Sequence, residues 1–123
     1  MFRSTDRDQA ILRALGDPLS AALLRALSGR ARCIPEIEPE LKFPHSSVYR
    51  RLRELKGLGL IGIQYSESAP HGGRVDFFGT LFSEIRVELR GSDLRVLLVP
   101  REEARRRLGS LVDDLSHQAR GVP

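Results

Sequence analysis

The hydrophobic pattern of this chain of 123 residues changes its period near Leu60. Before that point, apolar residues recur at spacings of three to five positions, as on one face of a helix. From Leu60 to Pro100 the pattern is that of strands, with clear alternation of apolar and polar residues in its second half. A helical spacing returns after Pro100. The sequence therefore predicts an α+β fold, with helices first, two hairpins next and a final helix.

Local signals set the predicted boundaries. Helices are predicted at about 6–15, 17–28, 35–41 and 45–57, strands at about 60–65, 75–82, 85–89 and 94–99, and a final helix at about 101–119. Asp17 and Pro18 form a helix start signal, an N-cap acid followed by proline at the first helical position. Pro39 lies inside the third helix, which we expect to be only one or two distorted turns. Gly72 and Gly73 form the tight turn of the first hairpin.

Length and composition exclude several classes of protein. At about 150 residues per domain, 123 residues make a single domain. The longest apolar runs, such as Val96 to Val99, are far shorter than the roughly 20 residues that span a bilayer. The first residues contain no apolar stretch of the kind found in signal peptides. Cys33 is the single cysteine, so it has no partner for an internal disulfide. We therefore expect a cytoplasmic protein that is not bound to a membrane.

Positive charge is concentrated in one short segment. The chain carries 20 Lys and Arg against 16 Asp and Glu, a net charge of +4. The segment from Lys42 to Lys56 contains five basic residues and one acid, Glu54, so its local charge equals that of the whole chain. A basic surface of this kind suits a polyanionic partner.

The fourth predicted helix places its arginines opposite its apolar stripe. Val48, Leu52 and Leu55 fall within about 60° of one another on a helix of about 100° per residue. Arg50 and Arg53 lie on the other side. A helix that reads the DNA major groove needs this arrangement, with one face docked on its domain and donors on the opposite face. The alternative is a solvated amphipathic helix with incidental arginines.

The candidates for DNA contact are Ser46, Ser47, Tyr49, Arg50, Arg53 and Lys56 on this helix, and Arg74 after the turn of the first hairpin. The two helical arginines suit either guanine edges or phosphates. The two serines contact phosphate or base, or else serve only as helix caps. Tyr49 stacks on a sugar or touches a phosphate, or else packs beside the docked helix.

Three helices followed by a two-stranded hairpin is the order of a winged helix-turn-helix. Ala14-Leu15-Gly16-Asp17-Pro18 resembles the opening of ArsR-family regulators, and the segment from Ser46 to Ile61 resembles their recognition helix running into the wing. The family usually has Ser or Thr at the position of Pro44. The segment from Phe78 to Val99 is similar to a second hairpin found in some archaeal regulators of this group.

This resemblance covers about residues 9–82 and implies a DNA-binding function. It predicts a winged helix-turn-helix region over residues 1–82, with the second hairpin and a C-terminal helix over residues 83–123 of the same domain. The function that we expect is that of a sequence-specific, double-stranded DNA-binding transcription regulator, a homodimeric repressor. The alternatives are a winged-helix protein-interaction module without DNA binding, and a metal- or ligand-responsive repressor.

The final predicted helix is the expected dimer interface. Its apolar stripe consists of Ala104, Leu108, Leu111, Val112 and Leu115. Two such stripes would bury each other by the hydrophobic effect, at roughly 1.5–3 kcal/mol per fully buried leucine. The alternative is that the stripe folds back on its own protomer.

Residues for metal or enzyme chemistry are sparse. Metal sensors of the ArsR family carry two cysteines one residue apart at the place of Cys33, and here Pro35 stands at the second position. A single thiolate does not make a soft-metal site. Asp113, Asp114 and His117 offer one pairing for a metal across a dimer, with an exposed acidic turn as the alternative. No phosphate loop, nucleophile elbow or zinc-protease motif is present. We therefore expect no metal, no cofactor and no enzyme activity.

Overall fold

A computed structural model describes residues 5–101 of the chain as an α+β arrangement. The helices of this part are α1 (Asp6–Gly16), α2 (Pro18–Ser28), α3 (Ile34–Leu41) and α4 (His45–Gly57). Its strands are β1 (Ile61–Ser68), β2 (Arg74–Thr80), β3 (Phe82–Arg90) and β4 (Asp93–Pro100). The first hairpin pairs β1 with β2 and the second hairpin pairs β3 with β4, both antiparallel. This combination of helices and hairpins is compatible with winged helix-turn-helix folds in general.

The core lies between the helices and the base of the first hairpin. Its buried apolar members are Ile11, Ala14, Leu19, Leu23, Leu24, Leu27, Ile34, Ile37, Leu41, Val48, Leu52, Leu55, Leu60, Ile61 and Phe78. In α4 the buried residues are Val48, Leu52 and Leu55, the stripe that the helical period predicts. The predicted bounds and the predicted buried face of this helix are both confirmed. The third helix is a regular α3 of 8 residues that accommodates an exposed Pro39.

The structure corrects the end of the second predicted strand. The sequence predicts one strand through Phe82, whereas β2 stops at Thr80 and β3 begins at Phe82. Between them, the N–H of Leu81 donates to the carbonyl of Leu60 and its carbonyl accepts from the N–H of Arg101, both at 2.9 Å. The chain changes its partner strand at this residue, because the backbone of Leu81 bonds once toward each hairpin.

Backbone and arginine hydrogen bonds attach the hairpins to the helices. Before α3, Arg32 exchanges two backbone hydrogen bonds with Phe78 of β2, at 2.9 and 2.8 Å. At the end of β4, the guanidinium of Arg101 donates to the Thr80 hydroxyl at 2.8 Å and to the Ser28 carbonyl at 2.9 Å. The last turn of α2 is therefore tied to the junction of the two hairpins.

A carboxylate links the start of α2 to α4. Asp17 caps α2 by accepting from the backbone N–H of Ser20 at 2.9 Å. The same carboxylate accepts two hydrogen bonds from the Arg51 guanidinium, at 3.0 and 3.3 Å. The backbone hydrogen bond from Ser20 is the largest cause that lowers the pKa of Asp17, and Arg51 lowers it further against the effect of desolvation. One side chain thus caps one helix and positions the next.

The final predicted helix, at about 101–119, lies outside the described residues apart from its first position. The proposed dimer stripe of Leu108, Leu111, Val112 and Leu115 lies outside them as well. The second hairpin is described, and its Ile85, Val96 and Leu98 pack against the same core as the helices. None of the helices within residues 5–101 is long and apolar enough to cross a bilayer.

We expect Asp17→Ala to destabilise the fold by at least the roughly 0.5–2 kcal/mol that loss of an N-cap costs, because Arg51 also loses one of its two acidic partners. Urea unfolding followed by circular dichroism measures this change. The pKa of Asp17 is lowered in the folded protein, so its stabilisation is complete above the unfolded value of about 3.9 and disappears as pH falls through the folded value. The difference between wild type and variant should therefore shrink in acid.

The matched control is Asp6→Ala, which removes an exposed first-turn acid from α1. This variant should lose only about a few tenths of a kcal/mol of unfolding free energy. An exposed charge in the first turn gains about 0.3–1 kcal/mol from the helix dipole at low salt, and salt screens this interaction. Equal losses in the two variants would contradict the assigned role of Asp17.

Candidate nucleic-acid interface

The helices α3 and α4 are joined by a turn of residues 42–44. Lys42 ends α3 in the left-handed region, with φ of 58°, and its backbone N–H donates to the Glu38 carbonyl. Pro44 then occupies the N-cap position of α4. Two helices connected by a turn of this length can present the second helix across the surface of the domain, which is the geometry of a helix-turn-helix.

The exposed face of α4 carries three of the predicted residues in one row. Ser46, Arg50 and Arg53 are exposed, and their spacing of four and three positions places them on one side of the helix. The row rises about 10 Å along the axis, at roughly 1.5 Å per residue. This length is comparable with the roughly 12 Å width of the major groove. The prediction that these side chains lie opposite the buried stripe is confirmed.

The two arginines of this row have no partner in the protein among residues 5–101. The structure assigns no ion pair or hydrogen bond to the guanidinium of Arg50 or of Arg53 within this part of the chain. Arg51, between them in sequence, bonds instead to Asp17 and to Glu54, the latter at 3.4 Å. Adjacent arginines therefore have different roles, one inside the fold and two on the surface.

The serines at the start of α4 do not cap it. The N-cap is Pro44, which offers no side-chain hydrogen bond. Ser46 is exposed and Ser47 is half-buried, and neither hydroxyl is bonded within the described part of the chain. The first turn of a helix leaves backbone N–H groups without intrahelical acceptors, and these groups favour an anion. The interpretation of the serines as caps is wrong, and their hydroxyls remain available at this end.

Tyr49 lies at the side of the exposed row, beside His45. The two rings are 4.6 Å apart, and Nδ1 of His45 is 2.8 Å from a carboxylate oxygen of Glu38. Burial is the largest cause that raises the pKa of the Tyr49 hydroxyl, and Glu38 adds to it. The hydroxyl of Tyr49 therefore stays protonated at neutral pH, and about a third of the surface of this residue remains exposed.

Lys56 and Arg74 each interact with a residue of the first hairpin. The Nζ atom of Lys56 lies 5.7 Å from the ring centroid of Phe78, at the junction of α4 and β2. Arg74 lies on the first hairpin, where its guanidinium donates to the Ser66 hydroxyl at 3.0 Å. That hydroxyl donates in turn to Asp76 at 2.6 Å. An acid therefore lies close to Arg74, which leaves little net charge at this point.

The first hairpin has an aromatic surface that sequence reasoning missed. Tyr65 and Phe77 are cross-strand partners, and their rings stack at 4.6 Å with an angle of 11° between planes. Tyr65 remains 48% exposed. Gly72 and Gly73 have φ of 92° and 80°, so the tight tip needs glycine there. The alternation of apolar and polar residues in the strand could have predicted that Tyr65 lies on the open face. Its pairing with Phe77 could not be predicted without the register of the two strands.

Two further residues of the basic segment were missed. A helical wheel places Arg51 about 60° from Val48, beside the buried stripe, and this signal favours a structural role. Lys42 is exposed in the turn before α4, next to a Phe43 that is 40% exposed. Four cations, Lys42, Arg50, Arg53 and Lys56, thus remain on the segment without an acid bonded to them in the described structure.

Within residues 5–101, no three His, Cys, Asp or Glu side chains come together as a metal site. Cys33 is half-buried at the N-cap of α3, where its side chain makes no capping hydrogen bond.

The comparisons with known proteins give no relative from which function can be transferred. No model of a known protein family matches the chain, and no curated protein matches it either.

Proposed function

We propose that this protein is a double-stranded DNA-binding transcription regulator with a winged helix-turn-helix fold. The observation that carries the proposal is the pair Arg50 and Arg53, exposed and without a partner in residues 5–101, on the face of α4 opposite its buried stripe. A helix that enters the major groove needs one face packed on its own domain and hydrogen-bond donors exposed on the opposite face.

In this proposal α4 is a rigid reading element. Val48, Leu52 and Leu55 dock it on the core, and the Arg51–Asp17 ion pair resists rotation about its axis. A rigid helix presents its donors without a large cost in backbone entropy. The arginines bind guanine edges or phosphates, while Ser46 and the first-turn N–H groups bind a phosphate.

The first hairpin acts as the wing in this proposal and contributes modestly to affinity. Arg74 is its main cation, and the Ser66–Asp76 network holds the guanidinium on the hairpin. Glu67 and Asp76 reduce the local positive charge. We infer that the wing touches the DNA backbone beside the groove that α4 occupies.

Regulation by a homodimer completes the proposal. A two-fold dimer would place two copies of α4 in successive major grooves of a roughly palindromic site, and occlusion of a promoter would cause repression in the cytoplasm. The stripe Leu108, Leu111, Val112 and Leu115 stays the predicted dimer interface.

The second candidate is a protein-interaction module. The exposed Phe43 in the turn before α4 favours it, because an apolar side chain beside a basic helix suits an acidic protein partner. Salt separates the two candidates. Binding to DNA through several phosphate contacts falls linearly on a plot of log affinity against log salt concentration, by release of counterions.

We expect Arg50→Ala and Arg53→Ala to weaken DNA binding without changing the fold, because neither side chain has a partner in the described structure. A bidentate guanine contact should cost about 1–3 kcal/mol and relax specificity at one position of each half-site. A phosphate contact should weaken binding about equally on all sequences and reduce the salt slope by about one. Selection from random duplexes supplies the site, and fluorescence anisotropy measures affinity.

The matched control for this prediction is Arg13→Ala, which removes an exposed arginine from α1. It should retain binding close to that of the wild type. Thermal melting must agree among all five proteins, the double variant Arg50→Ala/Arg53→Ala included, before their affinities are compared. If the double variant Arg50→Ala/Arg53→Ala binds duplex DNA as well as the wild type at physiological salt, α4 does not read DNA and the interaction module is the better proposal.

We expect Cys33→Ser to leave DNA affinity unchanged with and without zinc, cadmium or arsenite. A lone thiolate cannot supply the two to four sulfur ligands of a soft-metal site. Serine at this N-cap adds a capping hydroxyl, so the melting temperature should hold or rise. A metal response of the wild type that disappears in this variant would refute the prediction and favour the metal-responsive repressor.

A further inference from the structure

The second hairpin has one entirely apolar face that the described part of the fold covers only at its base. The cross-strand pairs on this face are Ile85–Leu98, Val87–Val96 and Leu89–Leu94. Ile85, Val96 and Leu98 pack against the core. Toward the turn, Val87 is 49% and Leu89 71% exposed. Exposed apolar side chains on adjacent positions of a strand mark an interaction surface.

The outer edge of β3 is open within the described part of the chain, where the second hairpin has only two strands. The turn from Arg90 to Asp93 has a positive φ, 61°, at Gly91 and none at Ser92, as in a type II′ turn. The closing residues of such a hairpin form a hydrogen-bonded pair, and hydrogen-bonded and non-hydrogen-bonded pairs then alternate. The N–H and C=O groups of Val87, three positions before Arg90, therefore point to the open edge.

The charges along β3 are complementary to a reversed copy of the same strand. The other face of β3 carries alternating charges, in the order Glu84, Arg86, Glu88, Arg90. In an antiparallel pair of two β3 strands centred on Val87, Glu84 lies opposite Arg90 and Arg86 opposite Glu88, twice each by symmetry. Centring the pair on Arg86 or on Glu88 places like charges opposite each other, which is destabilising.

A groove in the same protomer can receive the exposed leucine. It has a volume of about 360 Å³ and is lined in part by Leu15, Ala21, Leu24, Phe82 and Ile85. Its strand residues all come from β3 and none from β4. In the register centred on Val87, Leu89 of the second copy lies opposite Ile85, on the apolar face and beside this groove. A two-fold interface uses the same surface of both copies, so a protruding side chain and the groove that receives it must lie on one surface. Leu89 and this groove meet that requirement.

We propose that β3 pairs antiparallel with β3 of a second copy of this chain, about a two-fold axis at Val87, to form one sheet in the order β4-β3-β3-β4. Each Leu89 then packs beside Ile85 of the other copy. This interface is separate from the stripe predicted on the final helix, and its test does not depend on DNA binding.

The ion pairs within each β3 strand do not oppose this pairing. Arg86 lies 2.6 Å from Glu84, and Arg90 lies 3.5 Å from Glu88. The arginine side chains are 62% and 85% exposed. Exposed pairs contribute little to stability, so the side chains exchange these partners for those across the interface at small cost.

A cysteine at position 87 tests the register directly. In the full-length chain with Cys33→Ser, the two residues at position 87 would face each other at about 5.5 Å between Cα atoms, within the range that a disulfide bridges. Val87→Cys should therefore form a covalent dimer on mild oxidation. The matched control is Leu89→Cys, whose two copies would be about 14 Å apart, four residues at roughly 3.4 Å each.

If cross-links formed only by random collision, Leu89→Cys would cross-link more readily than Val87→Cys, because Leu89 is more exposed than Val87. Selective doubling of mass for Val87→Cys supports the interface. Equal cross-linking at both positions, or none at position 87, overturns it. Absence of cross-linking at position 87 is also the result expected if residues 102–123 of the same chain cover the edge of β3.

Charge reversal gives an independent measurement in solution. Arg86→Glu alone and Glu88→Arg alone place like charges across the β3 interface. In a Leu108→Glu/Leu111→Glu background, which removes the separate predicted stripe, each variant should therefore sediment as a monomer where the unaltered β3 gives a dimer. Mixed together, they should form a dimer, because Glu at 86 then faces Arg at 88 and Glu88 faces Arg86. Circular dichroism verifies that both hairpins are folded. A background variant that is monomeric at micromolar concentration with β3 unaltered, or a mixture that stays monomeric, overturns the proposal.

Discussion

The carboxylate of Asp17 determines how α4 lies on the rest of the protein. It satisfies a backbone N–H at the start of α2 and binds the guanidinium of Arg51 on α4. Because α4 is rigid, holding Arg51 against α2 also fixes the direction in which its other side chains point. Arg50 and Arg53 then have no acidic neighbour bonded to them in residues 5–101, and they are directed to solvent.

In the second hairpin too, the spacing of apolar residues along the chain decides which side chains share a face. Its strands have a period of two, so one face collects Ile85, Val87 and Leu89 while the other collects alternating charges. A small helical core can cover only the base of such a face. Val87 and Leu89 remain exposed, and the charge order of β3 is compatible with a second copy of itself. The two proposed interaction surfaces thus both arise from local periodicity.

The two hairpins share one continuous path through Leu81. This residue bonds to Leu60 on one side and to Arg101 on the other, so no loop separates β2 from β3. Arg101 also bonds to the end of α2 through Ser28. A movement of the second hairpin would therefore reach the helices through hydrogen bonds and through the packing of Ile85 on the core.

The sequence by itself determined what depends on neighbours along the chain. The bounds of α4, its buried Val48, Leu52 and Leu55, and the start of α2 at Asp17 follow from helical period and capping chemistry. Tertiary structure alone decided that Asp17 also binds Arg51, 34 positions away, and that the strand breaks at Leu81. These features depend on which segments meet in space, and local periodicity carries no information about the distance between residues that are far apart along the chain.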